Sequence, residues 1–166
     1  MRHLVAFPIL ALAVILQSAI VSRISLLAGY ADLTLVIVIA WALQEGVETA
    51  WHWAVLAGAM VAIVTGLPWM VPFAVFLVAV FIAKALQKRI WQAPMIAMFT
   101  VTFLASVFSH LLTFITINLT GGSLPISDAF SLVTLPSMLL NLLLAIPVFW
   151  LMRDLAQWVT PVEEED

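Results

Sequence analysis

Leu132-Val-Thr-Leu-Pro136-Ser-Met-Leu-Leu-Asn141-Leu-Leu-Leu-Ala-Ile-Pro147-Val-Phe-Trp-Leu-Met152 is apolar enough to cross a bilayer, yet it holds two prolines and an asparagine. Each proline lacks an N–H and frees a carbonyl one turn back, and the asparagine amide brings donors and an acceptor into hydrocarbon. None of these groups is tolerated against lipid. This helix is therefore expected inside a bundle, where its neighbours satisfy the freed carbonyls and hide the amide. The rest of the chain has to supply those neighbours.

Composition agrees with that requirement. Of 166 residues, 65% are hydrophobic and 9% charged, and the mean hydropathy is +1.20. Soluble domains average roughly half apolar and a quarter charged. The chain thus reads as an all-α integral membrane protein without room for a soluble catalytic domain. Its net charge of -3 owes much to Glu163-Glu164-Glu165-Asp166, in a stretch 159–166 read as a solvated, cytoplasmic acidic tail. The 6 Lys and Arg are too scattered for a nucleic-acid surface, and the absence of cysteine removes disulfides and thiolate metal sites.

Hydropathy divides the chain into six transmembrane helices in one bundle, approximately 4–21, 26–43, 50–66, 70–86, 95–119 and 131–152. The first is read as a retained span rather than a signal peptide, since its apolar run is long and further spans follow. Gln17 and Ser18 fall near its far end, where interfacial water can serve them. In the second, the apolar run 33–43 is shorter than the roughly 20 residues a spanning helix needs. Either that helix begins before Gly29, or its neighbours shelter it. Asp32 at its start reads as an N-cap whose carboxylate accepts from free N–H groups, with a partner-binding or ion-linked role as the competing reading. Trp41, Trp51 and Trp53 read as interfacial aromatics.

Ala50, Ala54, Gly58, Ala62 and Gly66 recur every fourth residue, a small-residue stripe that lets another backbone approach closely. Packing within the bundle is the expected use, and a groove for a partner's helix the alternative. Lys84, Lys88 and Arg89 close the fourth span as snorkelling anchors. Along the fifth, Thr102, Ser106, Ser109, His110, Thr113, Thr116 and Thr120 form a polar stripe. His110 is either a hydrogen-bonded structural residue or a functional one, as intramembrane ionisable groups are candidates by default. It lies near enough in depth to be a partner for Asn141, in competition with Gln17 and the carbonyl freed by Pro147. Asn118-Leu119-Thr120 matches a glycosylation sequon, a short pattern of low specificity.

No nucleophile elbow, HExxH helix, Walker loop or dinucleotide fingerprint occurs in the sequence. Ser106 and His110 are four residues apart but have no carboxylate on the same element to orient the imidazole, so an intramembrane hydrolase is the weakest reading. A non-catalytic protein without cofactor or metal is expected.

Several short segments together resemble the rod shape-determining protein MreD family. These are Arg2 before the first span, Ala31-Asp32-Leu33-Thr34-Leu35, Leu56-Ala57-Gly58, and Leu135-Pro136-Ser-Met-Leu-Leu-Asn141 followed by Ala145 and Pro147. The likeness covers most of the chain. It departs at Ala31, where the family usually has proline, and at Ala62, about where many members carry an aspartate. The resemblance implies a subunit of the bacterial inner membrane within the cell-elongation, peptidoglycan-synthesising machinery. Its partners would be the single-span scaffold MreC, the polymerase RodA with its transpeptidase, membrane lipids, and MreB filaments indirectly. The family is similar in fold to the S components of energy-coupling-factor vitamin transporters, which supply the alternative reading. Against that alternative, no Ala-xxx-Ala pair occurs in the first span.

Orientation follows from the basic residues. With both termini cytoplasmic, Arg2, Lys84, Lys88, Arg89 and Arg153 lie inside and only Arg23 outside. In this cysteine-free chain, Ser123→Cys is expected to react with an impermeant thiol reagent added to intact cells, and Gln92→Cys is not. The opposite labelling would reverse the orientation.

Overall fold

The computed structural model describes residues 5–89, 93–123 and 125–159. The acidic residues of the tail and the Met1-Arg2-His3 start lie outside them. In order come α1 (Ala6–Ala19), a 3-10 turn (Val21–Arg23), the two-residue strands β1 (Ser25–Leu26) and β2 (Gly29–Tyr30), α2 (Leu33–Ala42), α3 (Ala50–Val64), α4 (Met70–Gln87) and α5 (Pro94–Leu119). A short α6 (Ile126–Asp128) and a π-helical turn (Ala129–Thr134) then lead into α7 (Leu135–Val159). Four helical segments are long and apolar enough to cross a membrane: Ala6–Arg23, Met70–Gln87, Pro94–Leu119 and Ile126–Val159. The helices α2 and α3 are shorter.

α2 corrects the expectation of a second full span over 26–43. Ten residues rise about 15 Å, half of a hydrocarbon core of about 30 Å. The preceding residues instead form an antiparallel hairpin, with Ser25 opposite Tyr30 and Leu26 opposite Gly29. Gly29 and Asp32 break the helical run. Asp32 accepts the Leu35 N–H at 3.0 Å through Oδ1, the N-cap that its position suggests. The sequence of α2, Leu-Thr-Leu-Val-Ile-Val-Ile-Ala-Trp-Ala, is apolar all round, and a helix of that kind is stable only when surrounded. Every residue from Thr34 to Leu43 is buried, and α2 packs against α1, α3, α4, α5 and α7. It is the axis of the bundle.

A buried helix leaves its last carbonyls without partners unless side chains reach them. Gln87 on α4 donates through Nε2 to the carbonyls of Leu43, at 3.1 Å, and Gln44, at 2.8 Å. Lys84 Nζ donates to the Val47 carbonyl at 2.7 Å and to Gln87 Oε1 at 3.1 Å. Lys84 is therefore turned inward to the end of α2, a favourable place for a cation, and not outward as an anchor. Lys88 and Arg89 are exposed. Trp41 and Trp53 also depart from the interfacial reading. They are 1% and 0% exposed and stack with ring centroids 4.4 Å apart, and Trp41 Nε1 donates to Thr49 Oγ1 at 3.2 Å. Trp51 is exposed.

The small-residue stripe packs α3 within the bundle. Ala50 and Ala54 are fully buried, and a Cβ on Gly58 would lie 3.2 Å from the Phe73 Cα of α4. The stripe ends there: Ala62 is half-buried and Gly66 is exposed.

Gln87→Leu removes both donors from the end of α2 and leaves two carbonyls to be satisfied elsewhere. It is expected to destabilise the protein by about 1–3 kcal/mol in detergent unfolding. Lys88→Met, on the exposed neighbour, is expected to change stability by no more than about 0.5 kcal/mol.

Candidate functional site

The polar side chains of three helices converge on one segment, the approach to α2 over residues 28–33. From the π-helical turn that leads into α7, the Leu132 carbonyl accepts the Ala28 N–H at 3.0 Å. That carbonyl is the one Pro136 frees, since a residue with an N–H at position 136 would bond it within the helix. One turn on, Ser137 Oγ accepts the Tyr30 N–H at 3.1 Å. After another turn, Asn141 Oδ1 accepts the Asp32 N–H at 2.6 Å, while its Nδ2 donates to Ser106 Oγ of α5 at 2.8 Å. From the opposite side, α1 presents Gln17, whose Nε2 donates to the Ala31 carbonyl and whose Oε1 accepts the Leu33 N–H, both at 2.7 Å. Non-helical backbone at this depth is stable only when the protein supplies such partners.

Close approach makes the convergence possible. A Cβ on Gly29 would lie 2.6 Å from the Val133 carbonyl oxygen and 2.7 Å from the Ser137 nitrogen, so only glycine lets the hairpin lie directly on the α7 backbone. Val133 belongs to the π-helical turn and Ser137 to the start of α7, so the contact falls at their junction.

Of the residues singled out in the sequence, the structure brings Asp32, Pro136 and Asn141 together in the clamp. Ala50 and Ala54 are buried within the bundle instead, and Gly58 lies against Phe73 of α4. His110 does not join Asn141: the amide is taken up by Ser106 and the Asp32 backbone, and His110 Nδ1, one turn further along α5, has no hydrogen-bond partner among the described residues. Pro147 lies on the exposed face of α7, contrary to the expectation that both prolines face neighbouring helices. Its apolar ring is compatible with lipid, and helices accommodate the lost N–H by local adjustment.

Gln17, Gly29, Ser106 and Ser137 complete the clamp. Gln17 had seemed served by interfacial water, but its amide is consumed by the backbone of α2's approach. Its signal was an amide within an apolar span, the same signal that singled out Asn141. Ser137 lay one residue after Pro136 and one turn before Asn141, in the register that a clamp along α7 requires.

Chemically, the site holds backbone in place. Amides of Gln17 and Asn141 present donor and acceptor together, which matches successive N–H and C=O groups of a strand-like segment. Among the described residues, no group of three or more His, Cys, Asp or Glu is placed to hold a metal ion.

Asn141→Leu strips the buried Asp32 N–H of its acceptor, so a loss of about 1–3 kcal/mol is expected in detergent unfolding. Ser106→Ala removes one side-chain bond and is expected to cost about 0.5–1.5 kcal/mol. In the Asn141→Leu background, Ser106→Ala should cost close to nothing, because the bond it breaks is already gone. Additive losses would show that the two residues act separately.

Compared with protein-family models, with characterised proteins and with solved structures, the chain matches none.

Proposed function

We propose that this chain is a non-catalytic, multi-pass subunit of the bacterial inner membrane that supports the cell-elongation machinery, as its resemblance to the MreD family implies. One observation carries the reading. The two most specific segments of that resemblance, Ala31-Asp32-Leu33-Thr34-Leu35 and Leu135-Pro136-Ser-Met-Leu-Leu-Asn141, lie about a hundred residues apart in sequence and meet through the bond from Asp32 N–H to Asn141 Oδ1. Segments that recur together in a family are explained if each exists to hold the other.

On this reading the four long apolar helices span the membrane, the shorter α2 and α3 pack among them in one bundle similar to the S-component fold, and both termini are cytoplasmic. The polar groups of the bundle hold its own backbone, and recognition of partners falls to exposed helix faces and short loops. The partner bound directly is an MreC-like single-span scaffold. The RodA-type polymerase and its transpeptidase join through the assembly, and MreB filaments indirectly.

Coexpression with an MreC-like protein and purification in mild detergent is expected to recover the two together. Recovery with a transporter coupling subunit or a vitamin, and without the scaffold, would favour the S-component alternative and overturn the proposal.

A further inference from the structure

Helix length divides the bundle into a short side and a long one. α3 has 15 residues and α5 has 26, so they rise about 22 and 39 Å. α4 packs between them and runs about 21 Å from Met70 before it meets a charge, at Lys84. That charge is fastened to the Val47 carbonyl, just ahead of the start of α3. The α3–α4 hairpin thus offers lipid an apolar height of about 22 Å, where an ordinary hydrocarbon core is about 30 Å thick. On α5 the exposed apolar residues extend from Ile96 to Leu119, about 34 Å. Along α7 and the turn before it they extend from Phe130 to Leu151, about 30 Å. The long side matches a bilayer, and the short side is about 8 Å too low for one.

Neither end of the hairpin can sink into hydrocarbon to make up the difference. At one end Glu45, Glu48, Lys88 and Arg89 are exposed, and four charges hold that end in water. At the other, the turn from Thr65 to Trp69 leaves backbone free. The Thr65 N–H bonds the Val61 carbonyl, but among the described residues nothing donates to the carbonyls of Ala62, Ile63 and Val64 that end α3. The N-terminus of α4 has no side-chain cap. Such groups need water. A bilayer yields to mismatch at a modest cost per ångström, whereas each backbone group left unpaired in hydrocarbon is expensive, so the bilayer gives way before the turn does. Tilting the bundle shortens the projection of every helix and does not lengthen α3.

Aromatic residues mark the same two levels. Trp51 at the start of α3 and Trp69 at the end of the turn are exposed at 43% and 67%, in the manner of indoles placed in the two headgroup layers. Between Glu48 and Lys84 the sequence has no charged residue, and Ile63 and Val64 keep the lipid-facing side of α3 apolar up to the turn.

We infer that the bilayer is thinned along the α3–α4 face and keeps its ordinary thickness along α5 and α7, so that the lipid surface slopes down to the Thr65–Trp69 turn. The occupant of this face is phospholipid, with its acyl chains compressed on the side of the turn. The inference rests on the chain's residence in a bilayer. It is independent of the partner assignment above and of which side of the membrane the turn faces.

Gly66 is exposed in the turn, and a Cβ there would meet nothing within 4 Å, so the cysteine-free chain accepts Gly66→Cys as a probe. Its counterpart is Leu111→Cys on the outward side of α5, which lies about 25 Å from the start of its helix, as Gly66 does from the start of α3. Glu45→Cys and Ser123→Cys are the references for water, and Leu104→Cys, nearer the start of α5, the reference for lipid. Single variants are reconstituted in nanodiscs of phosphatidylcholine with eighteen-carbon monounsaturated chains, where both faces are accessible. Reaction with a permanently charged methanethiosulfonate reagent is followed by intact mass. Gly66→Cys is expected to react at the rate of the water references, and Leu111→Cys at least ten-fold more slowly. Pro68→Cys, also exposed in the turn, repeats the measurement, and monodispersity on size exclusion identifies any variant that fails to fold. Silence at both turn positions in folded variants would mean that lipid of full thickness, or a second copy of the chain, covers the turn. Equal rates at Gly66 and Leu111 would mean that the two faces sit in the same thickness of lipid. Either result overturns the inference, and fast reaction at Leu104→Cys would overturn the chain's residence in the bilayer as well.

Discussion

Asn141 holds the Asp32 N–H with one end of its amide and Ser106 with the other. The rest of the architecture depends on this kind of bond, because residues 28–33 run as irregular backbone against apolar helices, with their N–H and C=O groups bonded to α1, to α7 and to the turn before it. Each unpaired N–H or C=O there costs several kcal/mol. Gln17, Ser137, Asn141 and the carbonyl released by Pro136 meet that demand from two helices. Remove them and the short α2 has no stable way to begin.

A buried helix as short as α2 must be held at its other end as well. Gln87 and Lys84 do for the C-terminal side what Gln17 and Asn141 do for the approach to the N-terminus. Between the two, α2 needs apolar contact on every side, which the glycine-mediated approach of α3 to α4 and the stacked Trp41–Trp53 pair help to provide. Small residues on α3 bring backbones together where lipid gives no hydrophobic drive for association, and the large indoles fill what remains. The result is a core that is dense around α2 and continues along the face of α4 that is buried from Val71 to Ala83.

Much of this was legible in the sequence where the signal was local. The Asp32 cap spans three residues, and capping geometry is written within them. That Asn141 turns inward followed from lipid's inability to satisfy its amide, but the helix is not surrounded: Leu139, Leu143, Pro147 and Leu151 lie on an exposed face. The partner of Asn141 was not legible, since similar depth allows His110, Ser106 and the Asp32 backbone alike, and only tertiary packing chooses. Trp41 and Lys84 misled for a related reason: near the end of an apolar run, a tryptophan or lysine has the same sequence context whether it turns to the headgroups or to a neighbouring helix. The length of α2 was half-visible, in an apolar run too short to span, but a hairpin of two-residue strands has too little periodicity to announce itself.

Apart from the Asp32 carboxylate, the clamp is built from neutral groups, and that choice has a physical reason. A buried ion pair costs several kcal/mol per ion to desolvate, and losing one partner strands a charge. An amide satisfies a donor and an acceptor at once without that cost. Gln17 and Asn141 therefore fix a backbone segment between helices separated by more than a hundred residues of chain, while Asp32, the one carboxylate of the clamp, also caps a helix N-terminus, where negative charge is favoured. In the clamp the amides and hydroxyls are spent on backbone and on each other, so its role is to set how α1, α2, α5 and α7 stand together, and that arrangement in turn shapes whatever faces the bundle offers to a partner.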